Sequence, residues 1–316
     1  MDTKKIIKNT ALLAGTSVGI MYLANKAVNY IATASNFLQK DKMNNYEWKF
    51  GNVKYTVTGK GKPLLLIHDL DVISSSYEWN KVINPLSDNH TVYTLDLIGC
   101  GSSDKDQLTY TNYLFITLIS DFIKDVINEE TDIIATGNSA SIALMSTLVS
   151  DKIGEIILVN PYDYTVSTDM PVKCMKYTHK LLSCPIIGTF IYNLHNSKKK
   201  IDDRFDNEFY HNCGNSICEE RSVYFEALHK GNSNGKYLFA SIMAHYTDVD
   251  IKNILKNTDK NISIITGTSR NKYNDIAEKY IYLNNDICTY EIYNTAYLPQ
   301  LENPEEFIHT VNAILS

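Results

Sequence analysis

The sequence predicts an α/β protein, a mostly parallel sheet flanked by helices with one helical insertion. Three observations lead there. A continuous apolar run at residues 64–67 reads as a strand buried on both faces, and the short, largely apolar stretches 156–159 and 262–265 read as further strands. Segments with apolar residues at helical spacing lie between such runs, and strands alternating with helices build parallel sheets. Strand rhythm stops between about residues 162 and 237 and then resumes, as it would around an inserted helical segment.

Taken in order, the chain opens with Lys4, Lys5 and Lys8 and then a weakly apolar stretch to Ala24. A signal peptide with Ala32-Thr33-Ala34 as cleavage site, a short membrane anchor and a soluble amphipathic helix are three readings of it. A membrane-associated helix over residues 6–24 is the preferred one, which puts the protein at a membrane, with the cytoplasm as the alternative. Polar residues 39–45 read as a linker. Residues 46–58 alternate apolar and polar with Gly51-Asn52 in the middle, a hairpin pattern. Strands follow at 64–67 and 91–96, with a helix around 78–83 between them and another over 111–129.

Residues 131–146 then run from an apolar strand through Gly137-Asn138-Ser139-Ala140-Ser141 into a good helix former. A strand, a tight turn with a serine at its apex and a helix are the parts of a nucleophile elbow. The remaining elements are a strand at 156–159, the insertion, a strand at 262–265, a helix over 275–282, a strand over 288–293 and a last helix over 304–315. The predicted organisation is an N-terminal helix and linker (1–43), the first part of an α/β core (44–161), a helical cap (162–238) and the second part of the core (239–316).

Composition narrows the function. Hydrophobic residues at 44% and charged ones at 21% mark a globular chain. A net charge of −6 without a dominant basic stripe argues against nucleic acid as a partner. Lys198-Lys199-Lys200 reads as a solvated loop. The six cysteines include no C-x-x-C pair. Cys213 and Cys218 near His211 are too loosely spaced for structural zinc, and free thiols fit better.

Four segments in fixed order resemble the α/β-hydrolase superfamily, in its esterase, epoxide-hydrolase and dehalogenase-like branch. They are residues 63–70 with 76–79, residues 93–104, the turn at 137–141, and residues 298–307. The resemblance covers roughly residues 46–315 and implies an α/β-hydrolase fold with no cofactor and no metal, acting on a small apolar or acyl substrate. It implies Ser139 as nucleophile, with the Ala140 and Leu70 N–H groups stabilising an oxyanion. Three positions depart from it. Asp69 stands where the family has the glycine of a His-Gly pair. Tyr297, in Ala296-Tyr297-Leu298-Pro299, occupies the place of the catalytic histidine. Arg270 lies near the place of the acid. A phenol with a reference pKa of about 10 is a poor base near neutral pH.

Asp163 is the alternative acid. His179, His195, His211, His229 and His245 are alternative bases. His68 and Asp96 are expected to be structural, and His309 to lie on the surface. Three functions stay open: a serine hydrolase with a degenerate triad, a catalytically inactive relative binding a ligand or partner in the same pocket, and a membrane-surface scaffold.

Overall fold

The computed structural model describes residues 3–39, 43–166, 173–212, 214 and 218–316. Eight strands form one sheet in the order β1-β2-β4-β3-β5-β6-β7-β8. They are β1 (Asn44–Trp48), β2 (Gly51–Thr58), β3 (Lys62–Ile67), β4 (His90–Leu95), β5 (Thr131–Thr136), β6 (Ile153–Val159), β7 (Ile262–Gly267) and β8 (Cys288–Ile292). β1 pairs antiparallel with β2, and β2 with β4, while every other pair is parallel. β3 and β6 contain the continuous apolar runs 64–67 and 156–159, and β5 and β7 are buried along their whole length because helices cover both faces.

The helices are α1 (Thr3–Thr33), α2 (Ile83–Leu86), α3 (Asn112–Phe122), α4 (Ser139–Ser146), α5 (Lys173–Ser183), α6 (Ile187–His195), α7 (Lys198–Arg204), α8 (Cys218–His229), α9 (Lys236–Met243), α10 (Lys252–Asn257), α11 (Asn271–Leu283), α12 (Pro299–Glu302) and α13 (Pro304–Leu315). The last one matches its expected span, set by Pro304 at the first turn and an Asn303 side chain capping the Glu306 N–H. Helices α5 to α10 fill the chain between β6 and β7, with no strand among the described residues there.

Several local expectations shift: Lys198-Lys199-Lys200, read as a loop, open α7, and Asn44-Asn45 of the expected linker already pair in β1. The hairpin turns at Lys49-Phe50, two residues before the expected Gly51-Asn52, because Gly51 already pairs with Trp48. Its φ of +132° and the approach of Ile98 and Asp104 explain the glycine there. The helix expected over 78–83 is a 3-10 turn at Ser76–Trp79 followed by the single turn α2.

α1 joins the fold through its C-terminal third. The Asn25 amide donates to the Ile186 carbonyl oxygen at 3.0 Å and accepts from Asn193 at 3.0 Å, the Asn29 amide donates to the His229 carbonyl oxygen, and Ala32 is buried. Ile7, Leu12, Leu13, Val18, Ile20 and Leu23 all stand exposed. By length and composition residues 9–33 are able to cross a membrane, a test that signal sequences also pass.

Candidate active site

The centre of the sheet ends at the turn between β5 and α4. Thr136 still pairs with Val159 of β6, and the Gly137 N–H donates to the Val159 carbonyl oxygen. β5 therefore reaches 136, and the corner falls on the next residue. Gly137 has φ +57°, the left-handed conformation that glycine tolerates, whereas Asn138 is already helical with φ −67° and ψ −28°. Ser139 is the first residue of α4, two positions past the corner. It is wholly buried, and its Oγ donates to the His68 carbonyl oxygen at 2.6 Å.

The direction a side chain would take from the corner is the informative one. A Cβ built on Gly137 would lie 2.0 Å from the Tyr297 hydroxyl and 2.5 Å from Asp69 Oδ1. Those two residues are bonded to each other. The Tyr297 hydroxyl donates to Asp69 Oδ2 at 2.7 Å, and Asp69 Oδ1 accepts the Asn138 N–H at 2.8 Å. Tyr297 is held in place by stacking on Phe209 and by the tilted ring of Tyr273.

Burial pushes the Asp69 carboxyl up to about 6, with Asp71 adding to the rise while Tyr297 and the Asn138 N–H oppose it. Glu78 sits behind it, its Oε2 accepting the Asp69 N–H at 3.1 Å. Burial and then the Asp69 charge push Glu78 up to about 8. Burial and the neighbouring Asp69 also raise the Tyr297 phenol, so at neutral pH it is a proton donor and no base.

This cluster floors a cavity of about 390 Å³. Pro161, Tyr162, Val166, Tyr273 and Ile276 supply much of its wall, together with Asn160, Asp163, Lys272 and Glu208. Arg204 reaches from α7 to Asp71 at 2.9 Å, tying the helical segment to the loop after β3.

Asp163 lines the cavity. Its burial is outweighed by Lys279, 2.6 Å away, and by Thr165, which together hold its carboxyl below the usual range. Leu70 and Ala140 are buried and absent from the cavity wall, and the Ala140 N–H already bonds the Gly137 carbonyl oxygen at 3.3 Å. Arg270 donates to the Asn207 carbonyl oxygen.

None of the eight histidines lines the cavity. Buried His68 accepts the Leu97 N–H on Nε2 and so donates from Nδ1 to the Asp69 carbonyl oxygen, and burial keeps it neutral. His179 meets Ser241, His229 bonds the Phe225 carbonyl oxygen, His245 pairs with Asp248, and His195 packs on Phe239. His211 is engaged by Glu302 only through its backbone N–H, and His309 is exposed. Asp96 joins two loops, accepting the N–H groups of Ser76 and Ser102 at 2.7 Å each. Cys213 lies outside the described residues, among which no cluster of metal-ligating side chains occurs.

The structure therefore brings Asp69, Tyr297 and Asp163 to one cavity and leaves Ser139, Ala140 and Leu70 out of it. Sequence reasoning missed Glu78 and Gly137. One signal was available for the Asp69–Tyr297 bond: both residues depart from the family pattern, and two departures at facing positions are explained by one contact.

Comparison with known proteins agrees with the fold. The model of the α/β hydrolase family matches residues 64–228, more than half of the chain. The 2-hydroxy-6-oxo-6-(2'-aminophenyl)hexa-2,4-dienoic acid hydrolase of Metapseudomonas resinovorans is 24% identical over 270 residues, 83% of this chain and 87% of that one. Among solved structures, a serine hydrolase involved in carbazole degradation aligns with a TM-score of 0.69 at 18% identity, over 87% of this chain and 98% of its own. A membrane phospholipase A aligns with a TM-score of 0.66 at 16% identity, over 99% of this chain and 98% of its own, a span that includes α1. The chain belongs to the α/β hydrolase family.

Proposed function

We propose that this chain is a non-hydrolytic member of its family, which binds a small neutral ligand of apolar or acyl character beneath a helical cap formed by residues 162–238. The observation that carries this reading is the placement of Gly137. In an elbow the nucleophile sits at the strained corner and the next N–H stabilises the oxyanion. The residue at the corner here has no side chain, and the next N–H, on Asn138, already holds the Asp69 carboxylate. A resident anion where negative charge would develop opposes acyl transfer. The absence of any imidazole from the cavity wall removes the base as well.

The rival reading keeps Ser139 as nucleophile and Asp163 as acid, and the hydrolase activity named for the Metapseudomonas relative favours it. It requires the Ser139 hydroxyl to leave the His68 carbonyl and cross to the cavity side of the turn, with no base to meet it there. The proposed domain division is the one read from the sequence. α1 is the proposed membrane anchor, since residues 6–24 extend about 28 Å as a helix against a hydrocarbon core of roughly 30 Å. Lys4, Lys5 and Lys8 lie at its far end.

p-Nitrophenyl butyrate separates the two readings. Its hydrolysis is expected to run at the buffer rate with the protein and with Ser139→Ala alike. Saturation-transfer NMR is expected to detect the bound ester, and Ile276→Trp, which adds bulk to the cavity wall, to abolish the signal. Turnover that disappears in Ser139→Ala would overturn the proposal.

A further inference from the structure

A second cavity, of about 220 Å³, lies where α1 meets the helical segment. It is lined by Tyr22, Asn25, Lys26 and Asn29 of α1 and by Pro185, Ile186, Thr189, Asn232 and Lys236 opposite. No acidic residue contributes to it among the described residues. Lys236 is only 5% exposed. Its Nζ donates to Thr189 Oγ1 at 2.8 Å and to the Cys184 carbonyl oxygen at 3.4 Å and lies 5.0 Å from the centre of the Tyr237 ring, all of them uncharged partners, and no carboxylate stands within ion-pair distance of it among the described residues. A buried cation is normally paired, because desolvating a charge without a counter-charge is costly. Lys26 lines the same space and likewise has no ion-pair partner among the described residues. Two lysines, a threonine hydroxyl and asparagine amides around one small space make a site for an anionic oxygen cluster.

The surroundings give the anion its source. Between residues 173 and 200 the chain carries six lysines and no acidic residue, in a protein whose net charge is −6. The corner between α5 and α6 exposes Leu181, Pro185 and Ile187 beside the cavity. Ile186 holds that corner with φ +61°, a rare conformation for a β-branched residue, and its carbonyl oxygen accepts the Asn25 amide. The cavity thus sits at Tyr22–Asn29, where α1 leaves the fold, the level at which a membrane surface would lie if residues 6–24 are embedded.

We infer that the α1–α6 cleft is a phosphate-binding site formed by Lys26, Lys236 and Thr189, filled by the headgroup phosphate of an anionic phospholipid. Only the lipid source of the phosphate rests on reading α1 as a membrane helix.

The full chain, purified in detergent, is exchanged against phosphatidylglycerol and against inorganic phosphate, and binding is followed by native mass spectrometry and by the rise in Tm. One phosphatidylglycerol is expected to stay bound per chain. Lys26→Gln is expected to weaken it about tenfold, and Lys236→Gln between about tenfold and a hundredfold, the worth of one charge-assisted hydrogen bond. Lys26 is exposed, so its variant keeps the fold. Should Lys236→Gln unfold, Thr189→Val and Lys26→Gln carry the test. Binding of inorganic phosphate alone, with the same lysine dependence, would support the phosphate site and overturn its lipid source. Binding of either ligand that ignores all three substitutions, or no binding, would overturn the site. Flotation with phosphatidylcholine vesicles reports separately on α1, so loss of anchoring and loss of the phosphate site are distinguishable.

Discussion

Gly137→Ala is expected to destabilise the protein by about 2–5 kcal/mol, the largest single effect of a one-carbon addition in this site. Two costs add. A left-handed backbone is strained for any residue bearing a Cβ, and the new carbon would stand 2.0 Å from the Tyr297 hydroxyl and 2.5 Å from Asp69 Oδ1. Neither neighbour yields easily. The Tyr297 ring is stacked on Phe209, and Asp69 is fixed by the Asn138 N–H and by Tyr297 itself. Tyr297→Phe removes the nearer obstacle at the cost of one hydrogen bond to Asp69. The double variant is therefore expected to lose less than the sum of the single losses, as contacting residues do. Chemical denaturation of the four proteins checks this. Additive losses would mean that position 137 does not face the tyrosine.

Glu78→Gln is expected to make the protein more stable at pH 8.5 and to leave it nearly unchanged at pH 5. The folded carboxyl is raised from 4.5 to about 8 by burial and by Asp69. The fold thus favours the neutral acid. That contribution is complete below the unfolded value and is lost as pH rises through the folded one, so the window runs from about pH 4.5 to about pH 8. Asp69 adds a smaller slope of the same sign from 3.8 to about 6. Glutamine never ionises and still accepts the Asp69 N–H, so the variant loses the Glu78 part of the slope. The difference at high pH is on the order of a few kcal/mol, several degrees in Tm. Thermal unfolding of both proteins across that range measures it. An equal loss at both pH values would show that the carboxyl is ionised throughout.

Much of the frame was readable from residue patterns. The central strands show as short aliphatic runs, unbroken at 64–67 and 156–159, and α13 shows as Asn303-Pro304 followed by helical spacing that ends at Leu315. The register of the turn was not readable. Gly137-Asn138-Ser139-Ala140-Ser141 fits a pattern centred on Ser139, while Ala135-Thr136-Gly137-Asn138-Ser139 places small residues equally well around 137. The choice depends on where β5 ends, and that is set by its pairing with Val159. Long-range bonds decide the rest. Asp69 and Tyr297 lie 228 positions apart in the chain, and nothing local to Glu78 or Lys236 announces that either will be buried.

The central claim is that the corner belongs to Gly137 and that the Ser139 hydroxyl stays beneath it. Intact-mass analysis after exposure of the folded protein to a fluorophosphonate, with peptide mapping of any adduct, tests that claim most directly. The account predicts an unmodified mass at near-neutral pH. A stoichiometric adduct on Ser139 that is absent from Ser139→Ala would contradict it.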